Sequence, residues 1–267
     1  MTVVQGTAVD IVTEDGTADA YLAHPGDGAA HPAVLLYMDA FGLRPRLRAM
    51  ADRIAEAGHT VLVPNVFYRH GRTPVVELPE FIDPSARPEI FEQLGPIMQS
   101  LTPELAMRDA DAYLRWLDGS SLVADGPVAL TGYCMGARLA LLTAGTYPER
   151  VAAVAGFHGG RLATEDPDSP HLVAEHITAE LYFGHADQDP ALPVEQIERL
   201  EHALTAAGVR HRCEVYPGAH HGFTQADTAA YNQEADERHW AELLDLLKRT
   251  FRPLFGARRP RPSRVRP

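Results

Sequence analysis

Short apolar, β-branched runs alternate along this chain with longer stretches whose apolar residues recur every three or four positions. Residues 33–38 (AVLLYM) are apolar without a break, the pattern of a strand covered on both faces. Leu47, Met50, Ala51, Ile54 and Ala55 then share one helical face, and Gly58 supplies a stop. Residues 60–65 form the next strand. Thr102 followed by Pro103 reads as an N-cap with proline at the first helical position. Leu105, Ala106, Ala110, Tyr113, Leu114 and Leu117 line that helix as far as Gly119. Strands at 127–132, 151–157, 179–184 and 211–218 follow, the first running into a helix that contains ARLALLTAG. Apolar stripes at Ile197, Leu200 and Leu204, and at Trp240, Leu243, Leu244 and Leu247, predict two more helices.

Strand and helix thus alternate at least five times, which predicts one α/β domain over residues 1–255 with a mostly parallel central sheet and helices on both faces. The first thirty residues read differently, as a hairpin forming an antiparallel N-terminal edge. Residues 66–100 break the rhythm with prolines at 74, 79, 84, 88 and 96 and little sustained periodicity. Such a stretch reads as an irregular insertion, either a surface excursion or a cover over the active site.

Composition narrows the class. The chain has 267 residues, 45% of them hydrophobic and 22% charged, enough for one large core and ordinary for a folded domain. Disorder throughout, coiled coil and collagen-like repeats are excluded. No apolar run reaches the ~18 residues of a membrane helix. The opening MTVVQGTAVD lacks the basic flank and apolar run of a secretory signal. A cytoplasmic protein without a membrane anchor is expected. The net charge of −12 argues against a nucleic-acid partner for the body of the protein. Residues 256–267 are the exception, with five arginines, several prolines and no acid, and are expected not to fold on their own.

Two cysteines are too few for a disulfide scaffold, and no CxxC pair is present to hold zinc. No helical His-x-x-x-His with a glutamate occurs either, so neither a metal nor a cofactor is expected. Cys213 alternates with His211 and Val215 along a strand and reads as core packing. Cys134 is different. It stands in Thr131-Gly-Tyr-Cys134-Met-Gly136, between a strand and a helix, the Gly-x-nucleophile-x-Gly elbow with cysteine in the usual place of serine. Glycines two residues either side are needed because side chains there would collide on so sharp a turn. The helix N-terminus behind the sulfur favours thiolate.

A nucleophile of this kind needs a base, and the base needs a carboxylate to orient it, in the order nucleophile, acid, histidine. The turn Tyr216-Pro-Gly-Ala-His-His-Gly-Phe223 directly follows the last strand, at the sheet edge where chemistry collects. The acid should follow the preceding strand, where either Asp187 or Asp189 could serve.

These features together resemble the dienelactone hydrolase family of α/β-hydrolases, over roughly residues 5–250. The matching pieces are Gly-Tyr-Cys-Met-Gly (132–136), Tyr-Pro-Gly-Ala-His-His-Gly-Phe (216–223), Asp-Pro-Ala-Leu-Pro (189–193) and Leu-Tyr-Met-Asp-Ala-Phe-Gly (36–42). The resemblance implies an α/β-hydrolase fold and a Cys134–His221–Asp189 triad, with His221 rather than His220 as base. For the acid, Asp189 matches the spacing to Pro193, whereas Asp187 fits the spacing from Gly184. It also implies that the backbone N–H groups of Met135 and Ala40 form the oxyanion hole. The family keeps a carboxylate, usually glutamate, that holds the resting thiol, and Asp39 stands in its place one methylene shorter. Where well-studied members place an arginine four residues after the histidine to grip a carboxylate, this chain has Gln225. Arg69, Arg72 and Arg87 are the substitutes available in the insertion.

The activity expected is hydrolysis of small carboxylic esters or lactones through an acyl-thiol, with a small-molecule substrate as partner and the oligomeric state left open. The competing reading is a non-catalytic small-ligand binder on the same fold.

Overall fold

The structure, a computed structural model, describes residues 3–251, so the arginine-rich segment 256–267 and the last residues of the expected domain lie outside the described residues. Eight strands form one sheet. In chain order they are β1 (Val4–Thr13), β2 (Gly16–Pro25), β3 (Ala33–Tyr37), β4 (Thr60–Pro64), β5 (Val128–Tyr133), β6 (Val151–Phe157), β7 (Glu180–Gln188) and β8 (His211–His220). Their spatial order is β1-β2-β4-β3-β5-β6-β7-β8. β1 and β2 form the expected antiparallel hairpin, and β2 pairs antiparallel with β4. All later pairs are parallel.

Every residue of β3, β4 and β5 is buried, as required of strands with helices on both faces. Two helix groups supply that cover. On one side α1 (Pro45–Glu56) touches α6 (Gln233–Thr250), with the Arg53 guanidinium stacked 4.1 Å from the Trp240 ring. Elsewhere α3 (Pro103–Asp118) meets α4 (Met135–Thr146), where Tyr147, just past the end of α4, donates to the Met107 carbonyl. α5 (Val194–Ala206) buries Leu200 and Leu204 beside β8. Thr102 caps α3 as read from the sequence, its hydroxyl accepting from the Leu105 N–H.

The insertion is more regular than its prolines predict. A 3₁₀ turn spans Tyr68–His70, and α2 runs from Arg87 to Ser100. Pro88 falls in the first turn, where a missing N–H costs nothing. Pro96 interrupts the middle, and only Ile90 and Leu94 are buried, so the helical stripe is too thin to be read as a period. α2 packs Ile90 and Leu94 with Val76 and Ile82 into a small satellite core, against which Phe41 rests.

The elbow depends on backbone approaching backbone. A Cβ on Gly132 would run into the Gly136 carbonyl, and one on Gly136 into the carbonyls of Tyr37 and Met38. No flexible side chain can yield there. Gly136→Ala is therefore expected to destabilise the protein by about 2–3 kcal/mol, as overpacking a core does. A denaturation midpoint within error of the parent would show that β3 moves aside at no cost.

Candidate active site

Cys134 joins β5 to α4 with φ 55° and ψ −116°, a conformation that L-residues avoid. Such angles cost about 1–3 kcal/mol and persist only where the surroundings hold them. Here the Cys134 N–H donates to the Phe157 carbonyl at 3.1 Å, tying the elbow to β6. The turn lifts the sulfur above the C-terminal edge of the sheet, at the N-terminus of α4.

His221 follows β8, and its Nε2 lies 3.0 Å from Cys134 Sγ. On the other side of the ring, Nδ1 is 2.7 Å from Asp189 Oδ2. The second Asp189 oxygen accepts from the Ala191 N–H at 2.8 Å, which fixes the carboxylate's orientation. Asp187 is turned away and exposed, accepting from the Gly218 N–H at 2.9 Å. His220 is exposed as the last residue of β8. The pairs left open by spacing are thus separated by which way each side chain leaves its strand. Burial alone would lower the His221 pKa, but the Cys134 sulfur and the Asp189 carboxylate outweigh it and raise it to about 10. Cys213 is half-buried, and burial pushes its thiol up to about 12, so it stays inert.

Ala40 lines the cleft that contains Cys134 and His221. Met135 is the first residue of α4, where an N–H has no partner within the helix. Asp39 reaches the same cleft, but its carboxylate does not face the sulfur. Its two oxygens accept from Arg44 Nη1 and Nη2 at 2.7 and 3.0 Å, and one also takes the Phe41 N–H at 3.0 Å. Asp39, expected beside the resting thiol, is held in a buried ion pair with Arg44, and the hydrogen-bond partner of the sulfur is His221. An aspartate is short, and a guanidinium two turns of loop away satisfies both oxygens at once.

Arg44 went unnoticed in the sequence, where it reads as the polar start of α1. It also bonds Asp227 through Nε at 2.6 Å and donates to Gln225 Oε1 at 3.0 Å. Gln225 in turn donates to Thr224 Oγ1, which is 2.8 Å from Nε2 of His158. His158 is fully buried at φ 38°, its ring edge-on to His221 with centroids 5.4 Å apart. Burial and the neighbouring His221 hold its pKa well below the ordinary histidine value, so it packs as a neutral ring. Its only sequence signal was a histidine directly after β6, one of nine downstream of the elbow. Of the three arginines in the insertion, Arg69 is held by Asp15 and Asp109 and Arg72 by Asp10. Arg87 alone lines the cleft, its guanidinium carbon within 5.9 Å of the Phe41 and Phe91 ring centroids.

The profile of the dienelactone hydrolase family matches residues 18–251. The chain belongs to the dienelactone hydrolase family. A Methylorubrum extorquens protein provisionally named carboxymethylenebutenolidase is 28% identical over 241 residues, covering 89% of this chain and 78% of its own. The carboxymethylenebutenolidase of Rhodococcus opacus is 25% identical, with 86% and 85% covered. The fold is shared with a dienelactone hydrolase-like promiscuous phosphotriesterase from metagenomic libraries, at TM-score 0.78 and 22% identity over 92% of this chain and 98% of that one. The protein is accordingly a hydrolase of this family. Among the described residues no helix is long and apolar enough to cross a membrane. Nor do three or more His, Cys, Asp or Glu side chains converge as a metal site among them.

Proposed function

We propose that this dienelactone hydrolase family member cleaves small carboxylic esters or lactones with Cys134 as nucleophile, through an acyl-thiol intermediate. The observation that supports it is the unbroken line from Cys134 Sγ through His221 to Asp189 at the carboxyl edge of the sheet.

Cys134 thiolate attacks the carbonyl carbon, forming the S–C bond as the carbonyl oxygen becomes an oxyanion. The N–H groups of Met135 and Ala40 bind that oxygen, and such donors act on charge that exists only in the transition state. As the C–O bond breaks, the His221 imidazolium gives its Nε2 proton to the leaving oxygen. The charge that raised the His221 pKa has now been consumed in the thioester. Neutral His221 next takes a proton from water, which adds to the thioester carbonyl and expels the thiolate, restoring the ion pair. Asp189 holds Nδ1–H so that Nε2 always faces the reacting atoms. Asp39, locked on Arg44 and the Phe41 N–H, sets the turn that presents the Ala40 amide. Activated or strained esters suit this site better than amides, whose amine is a poor leaving group.

With p-nitrophenyl acetate the protein is expected to release a burst of about one phenol per chain, and to gain an acetyl group on the peptide containing Cys134. A chelator should leave both unchanged. No burst and no acyl adduct would overturn the reading in favour of a ligand binder, and loss of the burst with the chelator would favour metal-assisted hydrolysis.

The same cycle predicts a titration result. Alkylating Cys134 with iodoacetamide removes the thiolate and should bring the His221 pKa down from about 10 by more than one unit, followed by NMR of its ring protons. An unchanged titration would mean that the sulfur is not the partner that holds the proton.

A further inference from the structure

The space directly around the nucleophile is small. The cleft lined by Cys134, His158 and His221 has about 30 Å³ free, room for one or two waters. Beside it lies a cavity of about 550 Å³, within the range of about 300–1,000 Å³ typical of small-molecule sites. Its walls are the start of α1 and residues 65–80, with Phe41, Leu43, Phe67, Val75, Leu78 and Leu94 giving it an apolar surface. The charged groups on its rim balance: Arg44, Arg46 and Arg48 stand against Glu77, Glu80 and Asp227.

Only a thin partition separates cavity and cleft. Half of it is rigid, the ion pair of Arg44 with Asp39 and Asp227. The other half is the half-buried Phe41, whose ring lines both spaces and meets Phe91 edge-on at 5.5 Å.

Sheet order says which part of an ester the cavity faces. Asp189 and His221 follow β7 and β8, on one side of β5. All of the cavity residues but Asp227 follow β3 or β4, on the other side. The leaving oxygen must sit beside His221 to receive its proton, so the acyl substituent projects the opposite way, towards Phe41. A pocket on that side also suits the half of the substrate that stays bound to sulfur while the alcohol departs.

We infer that the 550 Å³ cavity is an acyl-group pocket for an uncharged, apolar acid moiety several carbons long, entered past Phe41. This deepens the hydrolase reading and rests on it. The balanced rim gives an ionic acyl chain no advantage there. Each methylene taken out of water in the pocket should raise kcat/KM about fourfold.

The test is a series of p-nitrophenyl esters from acetate to decanoate, with the parent protein, Leu78→Trp and Phe41→Ala. Leu78 is half-buried, so a tryptophan there fills the cavity without replacing a core side chain. In the parent, kcat/KM should climb with chain length. Leu78→Trp should flatten that climb, lowering kcat/KM for the decanoate at least tenfold more than for the acetate. Phe41→Ala should steepen it. N-Methyldecanamide binding by calorimetry gives a readout that needs no turnover, and Leu78→Trp should weaken it. A flat profile in the parent, or one unaltered by Leu78→Trp while the acetate is still cleaved, overturns the acyl pocket and leaves the hydrolase standing. Amide binding that Leu78→Trp abolishes, with no ester cleaved by any form, overturns the hydrolase and keeps the cavity as an apolar ligand site. Neither binding nor cleavage overturns both.

Discussion

Cys134→Ala is expected to lower kcat for an activated aryl ester by a factor on the order of 10⁴–10⁶, the range seen when a covalent nucleophile is deleted. The substitution removes the atom placed both 3.0 Å from His221 Nε2 and at the N-terminus of α4. Little else should change. The Cys134 N–H that ties the elbow to Phe157 is backbone and survives in alanine, as do the amides of Met135 and Ala40. Residual hydrolysis over water, from those amides and from binding alone, should therefore persist. Circular dichroism and the thermal midpoint are the controls, and both should stay close to the parent. An alanine variant that retains a tenth of the parent rate would show that water is activated directly and no acyl-thiol forms.

Asp189→Asn is expected to cost about 10²–10⁴ in kcat, whereas Asp187→Asn should stay within about twofold. The aspartates are two residues apart, but their surroundings are opposite. Asp189 is buried with one oxygen on the Ala191 N–H and the other on His221 Nδ1. An asparagine must present either its amide oxygen or its N–H₂ to each neighbour. If the oxygen is kept by Ala191, the N–H₂ faces Nδ1 and forces the proton to Nε2, the wrong tautomer for a base. Asp187 is exposed and only accepts from the Gly218 N–H, which an asparagine oxygen can also do. The steady-state kcat of the two variants, measured side by side, decides the matter. Equal losses would mean that the loop after β7, not one carboxylate, carries the effect.

Much of the fold is legible in the pattern of side chains because burial imposes it. The fully apolar runs of β3 and β5 and the striped helices α1, α3 and α6 are each a local record of what faces the core. α2 is not legible, since a helix that buries only Ile90 and Leu94 and carries a central proline leaves almost no periodic trace. Arg44 escapes for a different reason. Its partners Gln225 and Asp227 come from more than 180 residues away, so Asp39 five residues earlier is the one local sign of a buried guanidinium.

The primary structure by itself determined the alternation of strand and helix, the elbow with its two obligatory glycines, and the shortlist of acids and histidines after β7 and β8. Those features are set by short-range sterics and by the spacing of apolar residues, both of which are written locally. Folding in three dimensions set Asp189 rather than Asp187 against His221, and His221 rather than His220 against the sulfur. It also joined Arg44 to Gln225 and Asp227 and opened the cavity beside Phe41. Each of these depends on the direction in which a side chain leaves a strand end and on groups dozens to nearly two hundred residues distant, distances that only the packed sheet makes short.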